Sequence, residues 1–304
     1  MLNKTFYSNG KLLITAEYLV LDGAKALALP TKFGQSLTVE GGSDQQIVWK
    51  SYDADKTIWF EDIISFSEIQ NFTFSKIKSE RNTLINILHE SYVKNPTLLN
   101  NSEGFHVTTN LTFPKFWGLG TSSTLINNIA QWFEIDAFEL LKNSFVGSGY
   151  DIACAQNNTP ILYQLVNGSP KVEKVVFEPQ CVDNLYFLYL NKKQNSNNAI
   201  ASYYKKNKDN TIEIQEISAI TNAILQKNDF ESLSQKLQLH ENIMGNVLEL
   251  PTVKNKLFPD FDGVIKSLGA WGGDFVLVIS KENPTKYFKE KGFETVLKYK
   301  EMIL

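Results

Sequence analysis

The stretch Gly118-Leu119-Gly120-Thr121-Ser122-Ser123 decides the fold, because it joins a predicted strand to a predicted helix through two glycines. Apolar residues alternate with polar ones over residues 105–113 and recur at helical spacing over residues 125–133. Glycine tolerates positive φ angles, and the start of a helix carries unpaired N–H groups and about half a positive charge. The stretch is therefore typical of a phosphate-binding loop. A tight turn before a helix capped by Ser122 or Ser123 explains it equally well.

Two further glycine-rich stretches follow, Gly147-Ser148-Gly149-Tyr150-Asp151 and Gly269-Ala270-Trp271-Gly272-Gly273-Asp274. The first places Asp151 near a predicted helix start, where its carboxylate is stabilised as the anion. Such a group can accept the proton of a substrate hydroxyl during phosphoryl transfer, although a simple helix cap is the alternative. The second stretch lies between two apolar segments, so it is either part of a phosphate pocket or a hairpin turn.

The N-terminal segment 8–23 supplies a lysine and a glutamate beside apolar runs. Lys11 follows Gly10 at the start of a predicted strand, and an ammonium group near Asp151 would keep that carboxylate ionised. Most lysines only face solvent, so this position alone distinguishes Lys11. Glu17 either supports the active site or faces solvent from a strand.

The four stretches, in this order, resemble the GHMP kinases, named for galactokinase, homoserine kinase, mevalonate kinase and phosphomevalonate kinase. The similarity extends from about Phe6 to about Ile279 and is strongest to the mevalonate and phosphomevalonate kinases. It implies an α+β fold with two domains. Residues 1–178 would form an ATP-binding β/α domain with a core of the left-handed-crossover type, and residues 179–304 a C-terminal α/β-plait-like domain.

The resemblance also implies an activity, the transfer of the ATP γ-phosphoryl group with Mg²⁺ to mevalonate or a related acid, phosphomevalonate being the alternative. Asp151 would be the base and Lys11 its partner. The phosphate-binding residues would be Gly118, Leu119, Gly120, Thr121, Ser122, Ser123, Gly269, Ala270, Gly272 and Gly273. The substrate-side residues would be Glu17, Tyr18, Ser148, Lys192, Lys193 and Ser196. The metal would be held by Ser122, with Glu139 as the acidic residue nearest to the family's magnesium glutamate.

Four positions depart from the family pattern. Ala16 and Trp271 replace glycines, Tyr18 replaces a histidine, and Leu140 falls where the magnesium-binding glutamate is expected. These departures motivate a second hypothesis of another class, a catalytically weak relative that binds a nucleotide or small acid. Three intact residues favour the enzyme, namely Lys11, Ser122 and Asp151.

Composition limits the classes of partner. The chain has 304 residues, 43% of them hydrophobic, a formal net charge of −3 and a pI near 5.8, which argue against binding to nucleic acid or to an anionic membrane. The two cysteines are too few for a disulfide framework, and no signal peptide or apolar membrane span is found. We expect a cytoplasmic enzyme with a small-molecule substrate, compatible with a homodimer. The three histidines are scattered. His240 matches a helix near the family's active site, although a position on a helix surface is the expectation.

The remaining elements follow from periodicity and turn residues. Paired strands are predicted over the first 40 residues, with Tyr18–Leu21 among them. Helices are predicted from Leu84 to Asn95, after an Asp136 cap, from Tyr150 and over residues 197–247. Further strands are predicted over residues 43–80, 161–165, 172–177, 185–190, 264–266 and 275–279.

Overall fold

The computed structural model describes residues 3–73, 79–145, 147–193, 196–206 and 209–304, with the backbone alone at residues 196–197. The strands are β1 (Asn3–Leu13), β2 (Ala26–Gly41), β3 (Gln46–Tyr52), β4 (Ile58–Ser65), β5 (Phe105–Leu111), β6 (Ile161–Val166), β7 (Ser169–Lys174), β8 (Leu185–Tyr189), β9 (Val264–Ser267), β10 (Phe275–Ile279) and β11 (Val296–Lys298). The helices are α1 (Phe66–Gln70), α2 (Glu80–Lys94), α3 (Thr97–Asn100), α4 (Thr121–Phe133), α5 (Ala137–Ser144), α6 (Tyr150–Ala155), α7 (Ser196–Lys205), α8 (Thr211–Gln226), α9 (Phe230–Leu248), α10 (Val253–Leu257), α11 (Thr285–Glu290) and α12 (Tyr299–Met302).

The chain divides into two compact units, and both are discontinuous in sequence. The first unit contains Met1–Gly10, Phe33–Lys115 and Leu119–Gln156. The second unit contains Lys11–Lys32, Phe116–Gly118 and Asn157–Leu304. A linear boundary near residue 178 stays a prediction, since these units are defined by contacts and not by position along the chain.

The first unit is built on a mixed sheet with the strand order β4-β3-β5-β2. β3 and β5 are parallel, whereas β4 and β2 are antiparallel to their neighbours. Alternate residues of β5, from Phe105 to Leu111, are buried, as the alternation in the sequence predicts. Trp49, Leu88 and Phe133 lie in the hydrophobic core, together with side chains from α2, α4 and α5. This core packs against α4 from its second turn onwards.

The second unit contains an antiparallel sheet with the order β11-β8-β10-β9. Every residue of β10 is buried, and Leu277 pairs with Phe187 on one side and with Lys266 on the other. β9 and β10 form a hairpin whose connection is the third glycine-rich stretch. The first residues of β2 belong to the same unit, where Ala26–Ala28 pair with β6. The predicted α+β class is confirmed.

The prediction of a strand at Tyr18–Leu21 is wrong. Leu19–Asp22 form a short 3-10 helix, and the Val20 amide donates to the Ala16 carbonyl at 2.9 Å. Ala16 and Tyr18 have φ angles of 68° and 62°, which lie in the left-handed region and end any strand. An apolar run of four residues does not distinguish a strand from such a buried turn.

The strand predicted at residues 172–177 begins earlier, at Ser169. Asn167 and Gly168 have φ angles of 52° and 76°, and Val166 pairs with Ser169 across them. Two consecutive residues with positive φ form the tight hairpin turn that an Asn-Gly pair favours. That dipeptide was the signal that could have located the strand.

Within the described residues, no helix is both long and apolar enough to span a bilayer.

Candidate functional site

Residues from three distant stretches meet at Gly118 in the second unit. The ammonium nitrogen of Lys11 donates to the Gly118 carbonyl at 3.0 Å. Gly118 has a φ of 70°, and a Cβ atom there would lie 2.3 Å from Cγ of Asp274. The Asp274 amide in turn donates to the Lys192 carbonyl at 2.7 Å. Lys11, the first residue of the first glycine stretch and the last residue of the third are therefore brought together.

Asp274 was not among the site residues predicted from the sequence. It follows the last glycine of the third stretch and has a φ of 51°, uncommon for a residue with a side chain. Burial raises the pKa of Tyr18 and of Tyr189, and the negative charge of Asp274 raises both further. Its carboxylate is thus within electrostatic range of a predicted substrate-side residue. Its place beside the glycines was the signal available in the sequence.

We expect Gly118→Ala to destabilise the protein more than Gly168→Ala. Both glycines have φ angles near 70°, but a Cβ at Gly168 would meet nothing within 4 Å. The left-handed conformation costs about 1–2 kcal/mol for alanine at either position. Only Gly118→Ala adds the clash with Asp274, so its loss of unfolding free energy, measured in urea, should exceed the other by about 1 kcal/mol or more.

Equal losses in the two variants would contradict the close approach of Asp274 to Gly118.

The helix that follows the first glycine stretch begins two or three residues earlier than a cap at Ser122 or Ser123 would place it. α4 starts at Thr121, the N-cap is Gly120 with a φ of 100°, and no side chain caps it. The prediction that Ser122 or Ser123 is the cap is therefore wrong, because both already lie inside the first turn. Ser123 donates from Oγ to the Gly120 carbonyl at 2.9 Å, whereas Ser122 is exposed. The amides at this end receive no side-chain cap, as an anion site requires.

A buried polar network in the first unit holds this helix start. The Thr124 hydroxyl lies 2.8 Å from Oε1 of Gln35 and 3.0 Å from the Gly120 carbonyl. Asn128 donates to the Gln35 carbonyl at 2.9 Å and accepts a bond from Ser8 at 2.7 Å. Because the peptide group is planar, fixing the Gly120 carbonyl also fixes the Thr121 amide that points the opposite way. Leu119 is fully buried beside it.

Residues 15–18 form a strained segment in which every residue is held by a separate contact of the second unit. Ala16 and Tyr18 are both in the left-handed region, a cost of order 1–3 kcal/mol for each. The Ala16 amide donates to Nε2 of His240 at 2.8 Å. Tyr18 accepts a bond from the Trp271 amide at 2.9 Å. Non-glycine residues in this conformation cluster at functional sites, and this segment carries two of the predicted substrate-side residues.

Glu17, between these two residues, belongs to a buried cluster of charges. Its Oε1 lies 2.6 Å from Nζ of Lys266, and both side chains are almost completely buried. Glu241 lies 3.7 Å from the same ammonium group and accepts the Ser267 hydroxyl at 2.7 Å. Burial raises the pKa of Glu17 to about 7, and the positive charge of Lys266 opposes that rise. The alternative of a solvent-facing Glu17 is excluded.

The expectation of a surface His240 is also wrong. The imidazole is completely buried on α9, and burial together with Lys266 holds its pKa well below the usual value. It is therefore the neutral form that accepts the Ala16 amide. Lys266 and Glu241 were missed as site-supporting residues, because a lysine in a short strand and a glutamate on a helix suggest surface positions.

The wild-type protein should become less stable as the pH rises, and we expect Glu17→Gln to abolish this pH dependence. Between the unfolded value of 4.5 and about 7, the folded state binds the extra proton, so wild-type unfolding free energy falls as the pH rises. Glutamine resembles the protonated form, hence the variant should match the wild type at pH 5. At pH 7.5 the unfolding free energy of the variant, measured by urea titration, should exceed that of the wild type by on the order of 2 kcal/mol.

Glu139→Gln serves as the control, since Glu139 is exposed and pairs with Lys94 at 2.8 Å. It should keep the wild-type pH dependence, and a Glu17→Gln variant that also keeps it would exclude a high pKa for Glu17.

The third glycine stretch exposes amides in a similar way. Gly269 and Gly272 have φ angles of 66° and 74°. The Gly273 amide donates to the Ala270 carbonyl at 3.4 Å and the Trp271 amide to Tyr18. Within the part of the chain that the structure describes, the amides of Gly269, Ala270 and Gly272 donate to no other group. This arrangement suits an oxyanion, because successive free amides form an anion-binding concavity.

Asp151 lies in the first unit, at the second position of α6. The cap of that helix is Gly149 with a φ of 90°, so the alternative of Asp151 as a simple cap is excluded. Its Oδ1 accepts the Ile152 amide at 3.1 Å. Ser148, one residue before the cap, is buried. A pairing of Lys11 with Asp151 stays a prediction.

The other predicted residues are more exposed. Lys192 and Lys193 face solvent, and Nζ of Lys193 lies 5.7 Å from the centre of the Phe116 ring. The side chain of Ser196 lies outside the described residues. The ion pair of Glu139 with Lys94 occupies its carboxylate on the surface of α5. Among the described residues, no group of three or more acidic, histidine or cysteine side chains is placed to hold a metal.

Comparison with known proteins identifies the fold of the chain. No family model matches the sequence, and no curated protein matches it. Solved structures do resemble it. The Methanococcus jannaschii mevalonate kinase is 15% identical with a TM-score of 0.69, and 97% of this chain and 96% of that chain are covered.

Two other structures are similar to the same extent. The Streptococcus pneumoniae phosphomevalonate kinase, in complex with phosphomevalonate and AMPPNP, is 14% identical with a TM-score of 0.67 and covers 95% of both chains. The Lactococcus lactis galactokinase, complexed with galactose, is 12% identical with a TM-score of 0.69, covering 95% of this chain and 88% of that one. These proteins are GHMP kinases, so the chain has the two-domain fold that the motifs indicated.

Proposed function

We propose that this protein is an ATP-dependent kinase that phosphorylates a small molecule. The observation that carries the proposal is the meeting of Lys11, Gly118 and Asp274, which come from three motif stretches and lie within hydrogen-bonding or van der Waals distance. Residues so far apart in sequence need not meet in an ordinary core. The GHMP kinase fold adds independent support.

The nucleotide phosphates would be bound by backbone amides. The uncapped start of α4 and the free amides of the third glycine stretch each offer donors to phosphate oxygens. Lys11 supplies positive charge at Gly118, to whose carbonyl its ammonium group donates. Since such a transition state places charge on oxygen atoms, positioned donors account for most of the catalysis.

The residues fit a magnesium ion that is held mainly by the phosphates. Mg²⁺ commonly keeps its waters and takes only one or two protein ligands beside the phosphates of its substrate. Ser122 would be the hydroxyl ligand, because it is exposed in the first turn of α4. The metal would neutralise negative charge on the transferred group.

Asp151 would act as the base. Its carboxylate accepts the proton of the acceptor hydroxyl while the acceptor oxygen forms a bond to the γ-phosphorus, and ADP leaves with the electron pair of the broken P–O bond. A phosphorylated acceptor would instead use a phosphate oxygen and need no base.

Mevalonate or a closely related acid is the acceptor we favour, with phosphomevalonate as the alternative. Two of the similar structures are a mevalonate kinase and a phosphomevalonate kinase. Lys192 and Lys193 are adjacent and exposed, which suits an anionic acceptor. A second function, ligand binding with weak catalysis, is favoured by the buried Trp271 in the third loop.

An ATP-consumption screen tests the proposal. Purified protein would be assayed with mevalonate, phosphomevalonate, homoserine and galactose at several Mg²⁺ concentrations. We expect magnesium-dependent turnover with one of the first two compounds, because these acids can pair with the exposed lysines. Binding of a Mg-nucleotide without turnover on any acceptor would favour the ligand-binding alternative.

We expect Asp151→Asn to lower kcat by about 100-fold or more, the usual contribution of a general base, with little change in nucleotide affinity. Asp136→Asn is the matched control, since Asp136 caps α5 in the same unit and asparagine caps equally well. Steady-state kinetics with the active acceptor measure both. Wild-type turnover in the Asp151 variant would exclude it as the base.

A further inference from the structure

Two residues that depart from the family pattern contact each other. Tyr18 stands where a histidine is usual and Trp271 where a glycine is usual, and the Trp271 amide donates to the Tyr18 hydroxyl at 2.9 Å. They are 253 residues apart in the chain. Both belong to the second unit, and both are buried. The two departures therefore form one structural unit.

We propose that the Tyr18 hydroxyl positions the third glycine loop for nucleotide binding by fixing the amide of Trp271. This inference rests on the proposed kinase function. The hydrogen bond from the Trp271 amide directs the N–H edge of the Ala270–Trp271 peptide group towards Tyr18. Since the peptide group is planar, the Ala270 carbonyl points the opposite way and receives the Gly273 amide.

Fixing this one peptide leaves the neighbouring amides free for an anion. Gly273 closes the turn onto Ala270, and Gly272, at the third position of the turn, has a positive φ. Among the described residues the amides of Gly269, Ala270 and Gly272 have no acceptor in the chain. The Tyr18 bond thus removes one donor from the loop and orients the rest.

The indole of Trp271 holds the loop from its other side. Its Nε1 donates to the Pro251 carbonyl at 3.1 Å, and its ring edge lies 3.9 Å from where a Cβ of Gly245 would be. The ring therefore packs against the end of α9 and does not project from the loop. A glycine at residue 271 would have neither of these indole contacts. The backbone bond to Tyr18 and the indole contacts therefore restrict the conformation of the loop at two points.

Tyr18 is itself held in place at a conformational cost. Its φ of 62° is unfavourable for a residue with a side chain, and its ring packs on Tyr203 with ring centres 5.6 Å apart. The Tyr203 ring makes this contact, whereas its hydroxyl bonds to Asp22 and accepts from Asn210 at 3.0 Å. Glu17, the preceding residue, is fixed by Lys266. A side chain anchored on both sides can hold a loop rigidly.

The first experiment needs only the wild-type protein. Backbone amide exchange measured by NMR should show a slowly exchanging Trp271 amide, with the amides of Gly269, Ala270 and Gly272 exchanging at least about 10-fold faster. A Trp271 amide that exchanges as fast as these neighbours would overturn the proposal.

The second experiment compares Tyr18→Phe with Tyr203→Phe. Each variant removes one hydroxyl from the same aromatic pair, but only the first takes the acceptor from the third loop. We expect Tyr18→Phe to speed exchange of the Trp271 amide and to raise the Kd for Mg-AMPPNP, measured by calorimetry, by about 10-fold. Tyr203→Phe should change neither by more than about two-fold.

The outcomes distinguish a failure of the positioning role of Tyr18 from a failure of the kinase function. If Tyr18→Phe has a normal stoichiometry and an unchanged Kd, the hydroxyl does not position the loop for the nucleotide, and the proposal is wrong. A purely structural role would lower the bound fraction at unchanged Kd, which also overturns it. If the wild type binds no Mg-nucleotide, the kinase function fails, and this inference fails with it even where the Trp271 amide is protected.

Discussion

The second unit depends on the neutralisation of one buried lysine. Lys266 has no exposure to solvent, and transfer of its charge from water is costly unless carboxylates compensate it. Glu17 and Glu241 do so from a turn and from α9, while Lys266 itself lies on β9. Contact with this one ammonium group joins the turn and α9 to β9. Loss of both carboxylates would leave the ammonium group uncompensated, which typically costs 3–5 kcal/mol.

The same cluster determines the geometry of the candidate site. Glu17 lies between two residues with left-handed backbone, and the bonds of Ala16 to His240 and of Tyr18 to Trp271 fix its flanks. Strain of this kind persists only where the surroundings over-determine the conformation. The cluster thus holds a strained turn on one side and, through Tyr18, a glycine loop on the other. Stability and site geometry have a common origin here.

Periodicity was enough to predict most of the elements. The alternation in β5, the buried run of β10 and the helical spacing in α4 were all confirmed, because each pattern reflects one buried face. The glycine motifs also predicted that Lys11 and Gly118 belong to one site, and they are hydrogen-bonded.

Contacts between distant residues could not be predicted in this way. Lys266 follows two apolar residues in a four-residue strand, and nothing local shows that Glu17 compensates its charge. The turn at residues 19–22 was predicted as a strand, since left-handed residues other than glycine leave no signature in a sequence.

The distance along the chain between Glu17 and Lys266 has a consequence for biosynthesis. The two residues are 249 positions apart, and ribosomes add about 5–20 residues per second. The carboxylate of Glu17 therefore emerges about 12 to 50 s before the lysine that will neutralise it exists. During that interval burial of the Glu17 carboxylate would be uncompensated and costly. The second unit should therefore assemble only near the end of translation.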